Sequence, residues 1–116
     1  MKMITAIIQP QMLAGVIDAV VARGARGLTS SDVHGFGQQY GRQSAYEQAH
    51  WGPGRQAALL PKIRVDIAAP DDRAGAVVEA IAKSAGTGTV GDGKIWVTTV
   101  DSALRVRTGE RDDDAL

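Results

Sequence analysis

Apolar positions along the 116-residue chain change their spacing in a regular order. Met3 to Ile8 is a short apolar run ended by Pro10, the pattern of a buried strand. Leu13, Val16, Ile17, Val20 and Val21 then recur at helical spacing and form one stripe, and Gly24 supplies a left-handed stop. The β-branched stretch from Leu28 to Phe36 predicts a second strand. From Gly37 to about Ala58 no period survives, and Gly-Pro-Gly punctuates a polar run. An unpatterned stretch of about 20 residues in so small a domain is most often a functional element or disordered. Order returns in "KIRVDIA", where Ile63, Val65 and Ile67 alternate with Lys62, Arg64 and Asp66, predicting a strand with one wet face. Asp71 or Asp72 caps a second helix, whose stripe is Val77, Ala80, Ile81 and Ser84 or Ala85. Ile95 to Val100 predicts a fourth strand and "LRVRTG" a short fifth, ahead of the acidic "ERDDDAL".

An internal echo turns these elements into a topology. Pro10, Ala14, Gly15, Ile17, Val21, Ala22 and Arg23 have counterparts at Pro70, Ala74, Gly75, Val77, Ile81, Ala82 and Lys83, each set following an apolar strand. Two β-α-β units imply an α+β, ferredoxin-like βαββαβ fold with both helices on one face of an antiparallel sheet. The first and fourth strands are apolar on both sides, with Ile4, Ala6 and Ile8 against Met3 and Ile7, and Trp96 and Val100 against Ile95 and Val97. A second copy of the sheet is the economical cover for the bare face.

Composition narrows the class. The length suits one domain, residues 1–116, with the long central loop at about 37–58. Formal net charge is zero, so no global field recruits nucleic acid, and any anion site must be local. Absence of cysteine removes disulfides, thiolate metal sites and cysteine nucleophiles. The first apolar run is too short for a signal peptide, and no stretch approaches the roughly 20 apolar residues of a membrane span, so a cytoplasmic protein is expected. Aromatic residues are only 4%, and a core of small side chains favours self-association.

Three groups could meet an anion. "GTGTVGDGKI" imitates a phosphate-binding loop at Gly88, Gly93 and Lys94, but Ile95 stands where a magnesium-binding hydroxyl is required, and a strand follows where a helix should. Gly91, Asp92, Gly93 and Lys94 read equally well as a phosphate cradle or as a turn into that strand. Arg105 and Arg107 would share one face of the fifth strand and could grip a phosphate together, or simply be solvated. "HGFGQQ" ends the second strand, where Gly35 and Gly37 bare the backbone and Gln39 could coordinate. A cleft between subunits would unite the three.

These residues carry a resemblance. The run from "MKMITAIIQP" through "GFGQQ", "LLPKIRVDI", "TGTVGDGKIWV" and "RVRTGE" resembles the PII signal-transduction proteins, regulators of nitrogen metabolism; only the central loop falls outside it. The resemblance implies a homotrimer that senses ATP, ADP and 2-oxoglutarate in clefts between subunits and regulates an enzyme, transporter or membrane channel through its long loop. It implies that Gly35, Phe36, Gly37 and Thr29 line the base and ribose side, Gly91, Asp92, Gly93 and Lys94 the phosphates, and Arg105 and Arg107 grip them. Gln39 would help hold Mg-ATP and 2-oxoglutarate, and Lys62 would pair with a carboxylate of the latter. No catalytic residue is implied, since the nucleotide is sensed.

Departures lie in the loop. Trp51 stands at the tyrosine that is modified in many relatives, Ala49 at a serine phosphorylated in some, and Glu47 at the arginine that plugs an ammonium channel. Tyr46 survives, and "GPGRQAA" lengthens the loop before "LLPK". The signalling half therefore reads as rewired, with a different partner expected. A sensor of bicarbonate or another small anion, linked to carbon uptake or metal efflux, is an alternative. A metal-binding trimer like the divalent-cation-tolerance proteins, suggested by His34 and His50, is a second, and a small ferredoxin-like phosphatase a third, for which no nucleophile with a base appears.

Overall fold

The computed structural model describes residues 1–37 and 59–116. Strand β1 spans Lys2–Ile8, helix α1 Leu13–Ala22, β2 Thr29–Gly35, β3 Leu60–Ala69, helix α2 Asp71–Ala85 and β4 Gly93–Thr99. The sheet order is β2-β3-β1-β4 with every neighbouring pair antiparallel, the βαββαβ arrangement of the ferredoxin-like fold.

Alternation decides what is buried. Ile4, Ala6 and Ile8 of β1 and Ile63, Val65, Ile67 and Ala69 of β3 turn one way. They meet Val16 and Val20 of α1 and Ala74, Val77, Ala80, Ile81 and Ala85 of α2 in one continuous core. Each fully buried Val or Ile contributes about 1.5–3 kcal/mol of apolar transfer, so the eight largest of them dominate the folding energy. Helix α1 stops as its glycine requires: Gly24 has φ +90°, its N–H donates to Val21, and the N–H of Ala25 reaches back to Val20. Among the described residues no helix is long and apolar enough to cross a membrane.

Three expectations change. Val21 stands 57% exposed, because the stripe that meets the sheet is carried by Val16 and Val20, with Leu13 half-buried at its edge. Neither Asp71 nor Asp72 caps α2. Pro70 occupies the cap position, both acids fall in the first turn, and Asp71 pairs with the N-terminal amine of Met1 at 2.8 Å. The fifth strand shrinks to a single bridge, Leu104 with Arg111. There the chain reverses on itself through Gly109, φ +75°, so the segment meets its own return instead of a sheet edge.

The second sheet face carries Met3, Thr5 and Ile7 beside Lys94, Trp96 and Thr98 on one side and Arg64, Asp66 and Ala68 on the other. It is less apolar than strands one and four alone suggested. Thr5 donates to Asp66 at 2.6 Å, and Arg64 pairs with the same carboxylate at 2.9 Å. The Arg64 guanidinium, ahead of the Thr5 hydroxyl, holds the Asp66 carboxyl below its usual range against the opposing effect of burial.

Candidate functional site

The ends of β2 and β1 and the starts of β3 and β4 lie together, as the registers of Gly35 with Leu60 and of Ile8 with Ile63 and Gly93 require. A cleft of about 580 Å³ opens there. Gly35, Phe36 and Gly37 form one wall, the Thr89–Lys94 loop the other, and Lys62, Ile7 and Trp96 the floor.

The loop is built by its glycines and one carboxylate. Gly88, Gly91 and Gly93 all take positive φ, and a Cβ on Gly93 would be driven into the carbonyl of Ile7 on β1. Asp92 accepts the N–H of Thr87 at 2.6 Å, the Thr87 hydroxyl at 2.5 Å and the N–H of Gly88 at 2.8 Å. The Thr87 hydroxyl, followed by the backbone donors, holds the Asp92 carboxyl below the usual carboxylate range. Nζ of Lys62 donates to the carbonyl of Gly91 at 2.9 Å and so ties β3 to the loop. Burial lowers the Lys62 ammonium from its usual value, and the charge of Asp92 opposes that shift. Among the described residues the N–H groups of Val90 and Gly91 have no partner. Bare amides next to two lysines, Lys62 and Lys94, make a concavity suited to phosphate or carboxylate oxygens. Phe36, Val90 and Trp96, all substantially exposed, add apolar surface of the kind a purine base lies on.

The sequence-derived residues therefore fall into two groups. Gly35, Phe36, Gly37, Lys62, Gly91, Asp92, Gly93 and Lys94 converge within one chain, where the sequence suggested that a subunit boundary would be needed to unite them. Thr29 does not join them. It pairs with Asp66 at the far end of β2, some 20 Å away at about 3.3 Å per residue. Arg105 and Arg107 belong to that far end too, since Arg105 donates to the carbonyl of Leu116, which itself lines a hollow with Arg26, Ala68 and Pro70. The two arginines lie on a turn, so the strand argument for a shared face does not hold. Gln39 and the loop positions Tyr46, Glu47, Ala49, His50 and Trp51 lie outside the described residues. His34 is exposed on β2, and among the described residues no three His, Asp or Glu side chains gather as a metal site.

Sequence reasoning missed Ile7, Thr89, Val90 and Trp96 as cleft residues. Alternation grouped Ile7 with Met3 and Trp96 with Val100 on one side of their strands; the missing information was which side stays open and which end of it the loop overhangs.

The family model for nitrogen regulatory protein P-II matches residues 1–110. Nitrogen regulatory protein P-II of Rhizobium etli is 43% identical, and GlnK and P-II 1 of Escherichia coli are 40% and 41% identical, each across the whole of both chains. A match of that extent carries through every strand and helix described above as well as the glycine loop. The chain belongs to the P-II family of nitrogen regulatory proteins.

Proposed function

We propose that this P-II protein is a cytoplasmic, non-enzymatic sensor that binds ATP and ADP competitively and reports to a target protein through its central loop. The observation that carries this reading is the pair of amides at Val90 and Gly91, without a partner among the described residues, near Lys62 and Lys94 in a cleft that Ile7 and Trp96 also line. Phosphates would lie on the amides and lysines, and the base against Phe36, Val90 or Trp96.

The site is half of a pocket. Thr29, Arg105 and Arg107 sit at the opposite end of the same sheet, so they can reach phosphate only from a neighbouring copy. A closed ring of three, with the open sheet faces turned inward, would pair each loop with the next chain's arginines. Among the described residues nothing cages a divalent ion, and Asp92 turns both oxygens to its own loop. Magnesium would therefore arrive on the phosphates, with Gln39 as a protein ligand. Lys62 in the floor supports a second anion beside the nucleotide, and 2-oxoglutarate, a dicarboxylate, is the effector proposed.

Isothermal titration with ATP, ADP and AMP, with and without magnesium and either 2-oxoglutarate or bicarbonate, tests the whole reading. Binding of 2-oxoglutarate only alongside Mg-ATP, lost in Gln39→Ala, supports it. Bicarbonate in that role would replace the effector, and no adenylate binding at millimolar concentration would discard the reading.

A further inference from the structure

The turn that carries the two arginines holds their guanidinium groups in different states. Nη1 of Arg105 donates to Glu110 Oε1 at 2.8 Å, and Nη2 to the carbonyl of Leu116 at 3.3 Å. Among the described residues Arg107 makes no hydrogen bond or ion pair. Backbone bonds fix this asymmetry: the N–H of Arg105 donates to Glu110 at 2.9 Å, and that of Gly109 to Arg105 at 2.8 Å. Gly109 takes φ +75° to close the reversal, and Leu104 bridges Arg111 just outside it. The carboxylate is thus delivered to Arg105 from within the turn, at high effective concentration.

We propose that Glu110 is a resident competitor for the Arg105 guanidinium, holding its Nη1 donor and setting a negative charge where a nucleotide phosphate must approach. The inference rests on the nucleotide reading above and adds a residue that sets its affinity. Carboxylate and phosphate both accept from guanidinium N–H groups, so while Glu110 holds Nη1 its negative charge stands against the group that a phosphate must approach. Nucleotide binding is then an exchange of anions at Arg105, whereas Arg107, with no partner among the described residues, meets phosphate without one. The pair is partly exposed, at 32% for Arg105 and 46% for Glu110, so its restraint is modest.

Titration of the 116-residue chain with ATP at low salt tests this. Glu110→Gln should tighten ATP about two- to fivefold, the scale of an exposed ion pair. Were Glu110 only a brace for the turn, the same change would leave affinity unaltered or weaken it, and that result overturns the proposal. Arg107→Ala must weaken ATP in both the wild-type and the Glu110→Gln backgrounds; if it does not, the nucleotide reading of this turn fails and the proposal with it. Loss from Arg107→Ala with no gain from Glu110→Gln sinks the competitor alone. A second readout does not depend on affinity. The carboxyl carbon resonance of Glu110 should move on ATP addition toward its position in Arg105→Ala, and its staying put also overturns the exchange.

Discussion

Nζ of Lys62, near the start of β3, donates to the carbonyl oxygen of Gly91 at 2.9 Å and fastens the glycine loop to that strand. The residue assigned by resemblance to the anionic effector thus also shapes the glycine-loop side of the cleft. Replacing it should therefore disturb nucleotide binding even when no second effector is present.

Lys62→Met tests that link, because it keeps the buried aliphatic stem and removes the ammonium. Hydrogen bonds involving a charged group contribute about 1.5–3 kcal/mol, so ATP affinity in the absence of 2-oxoglutarate should fall roughly tenfold or more. Calorimetry gives the affinity and a circular dichroism melt verifies the fold. Unchanged ATP affinity would mean that the tether does not shape the loop.

Asp92→Asn should loosen the loop without touching the core. The donors from Thr87 and Gly88 hold the folded carboxyl below its ordinary value near 3.8. Its stabilising contribution is therefore complete above that ordinary value and is lost as pH falls through the lower folded one. The amide resonances of Thr87 and Gly88 should titrate with a midpoint below pH 4 in the wild type. In Asp92→Asn that titration should vanish and ATP should bind several-fold more weakly.

The glycines of the cleft should separate by role. Gly93→Ala requires a Cβ at φ +106° against the backbone of Ile7, which breaks the start of the β1–β4 pairing. A loss of more than about 2 kcal/mol is expected, or a fall in Tm of ~10 °C or more. Gly35→Ala meets nothing within 4 Å and should leave the melting curve in place, so any defect there must appear in ligand affinity.

Mixed assemblies should report whether the pocket is shared. Lys94→Ala spoils the loop half and the Arg105→Ala, Arg107→Ala double variant spoils the other, so each alone should bind ATP poorly. Coexpressed and purified as one assembly, they should regain some pockets of wild-type affinity, seen as a tight phase in the titration. If only weak binding remains, both halves act within one chain.

Much of this molecule was legible in the residues, and for local reasons. Apolar spacing marks β1, β3 and both helices because a strand and a helix bury different periods. Gly24 announces the end of α1 because a left-handed residue there favours glycine. The echo between the halves was enough for the βαββαβ order, and "TGTVGDGKI" with "RVRTGE" for the family. The C-terminal strand was misread because alternation in "LRVRTG" is a property of the segment, whereas a strand exists only against a partner, and here Leu104 finds just Arg111. The cap of α2 was misread for a related reason, since Asp71 answers to the amine of Met1.

The sequence by itself determined the order of elements, the alternation along β3 and the presence of a glycine loop before β4, because these follow from neighbours along the chain. Tertiary structure alone decided that Lys62, Phe36 and the loop share one end of the sheet while Thr29 and Arg105 occupy the other. It also decided that Asp92 clasps its own loop and Glu110 its own arginine. Those outcomes depend on register and on which donor lies nearest in space, and Lys62 and Gly91, 29 residues apart, meet only once the strands have paired.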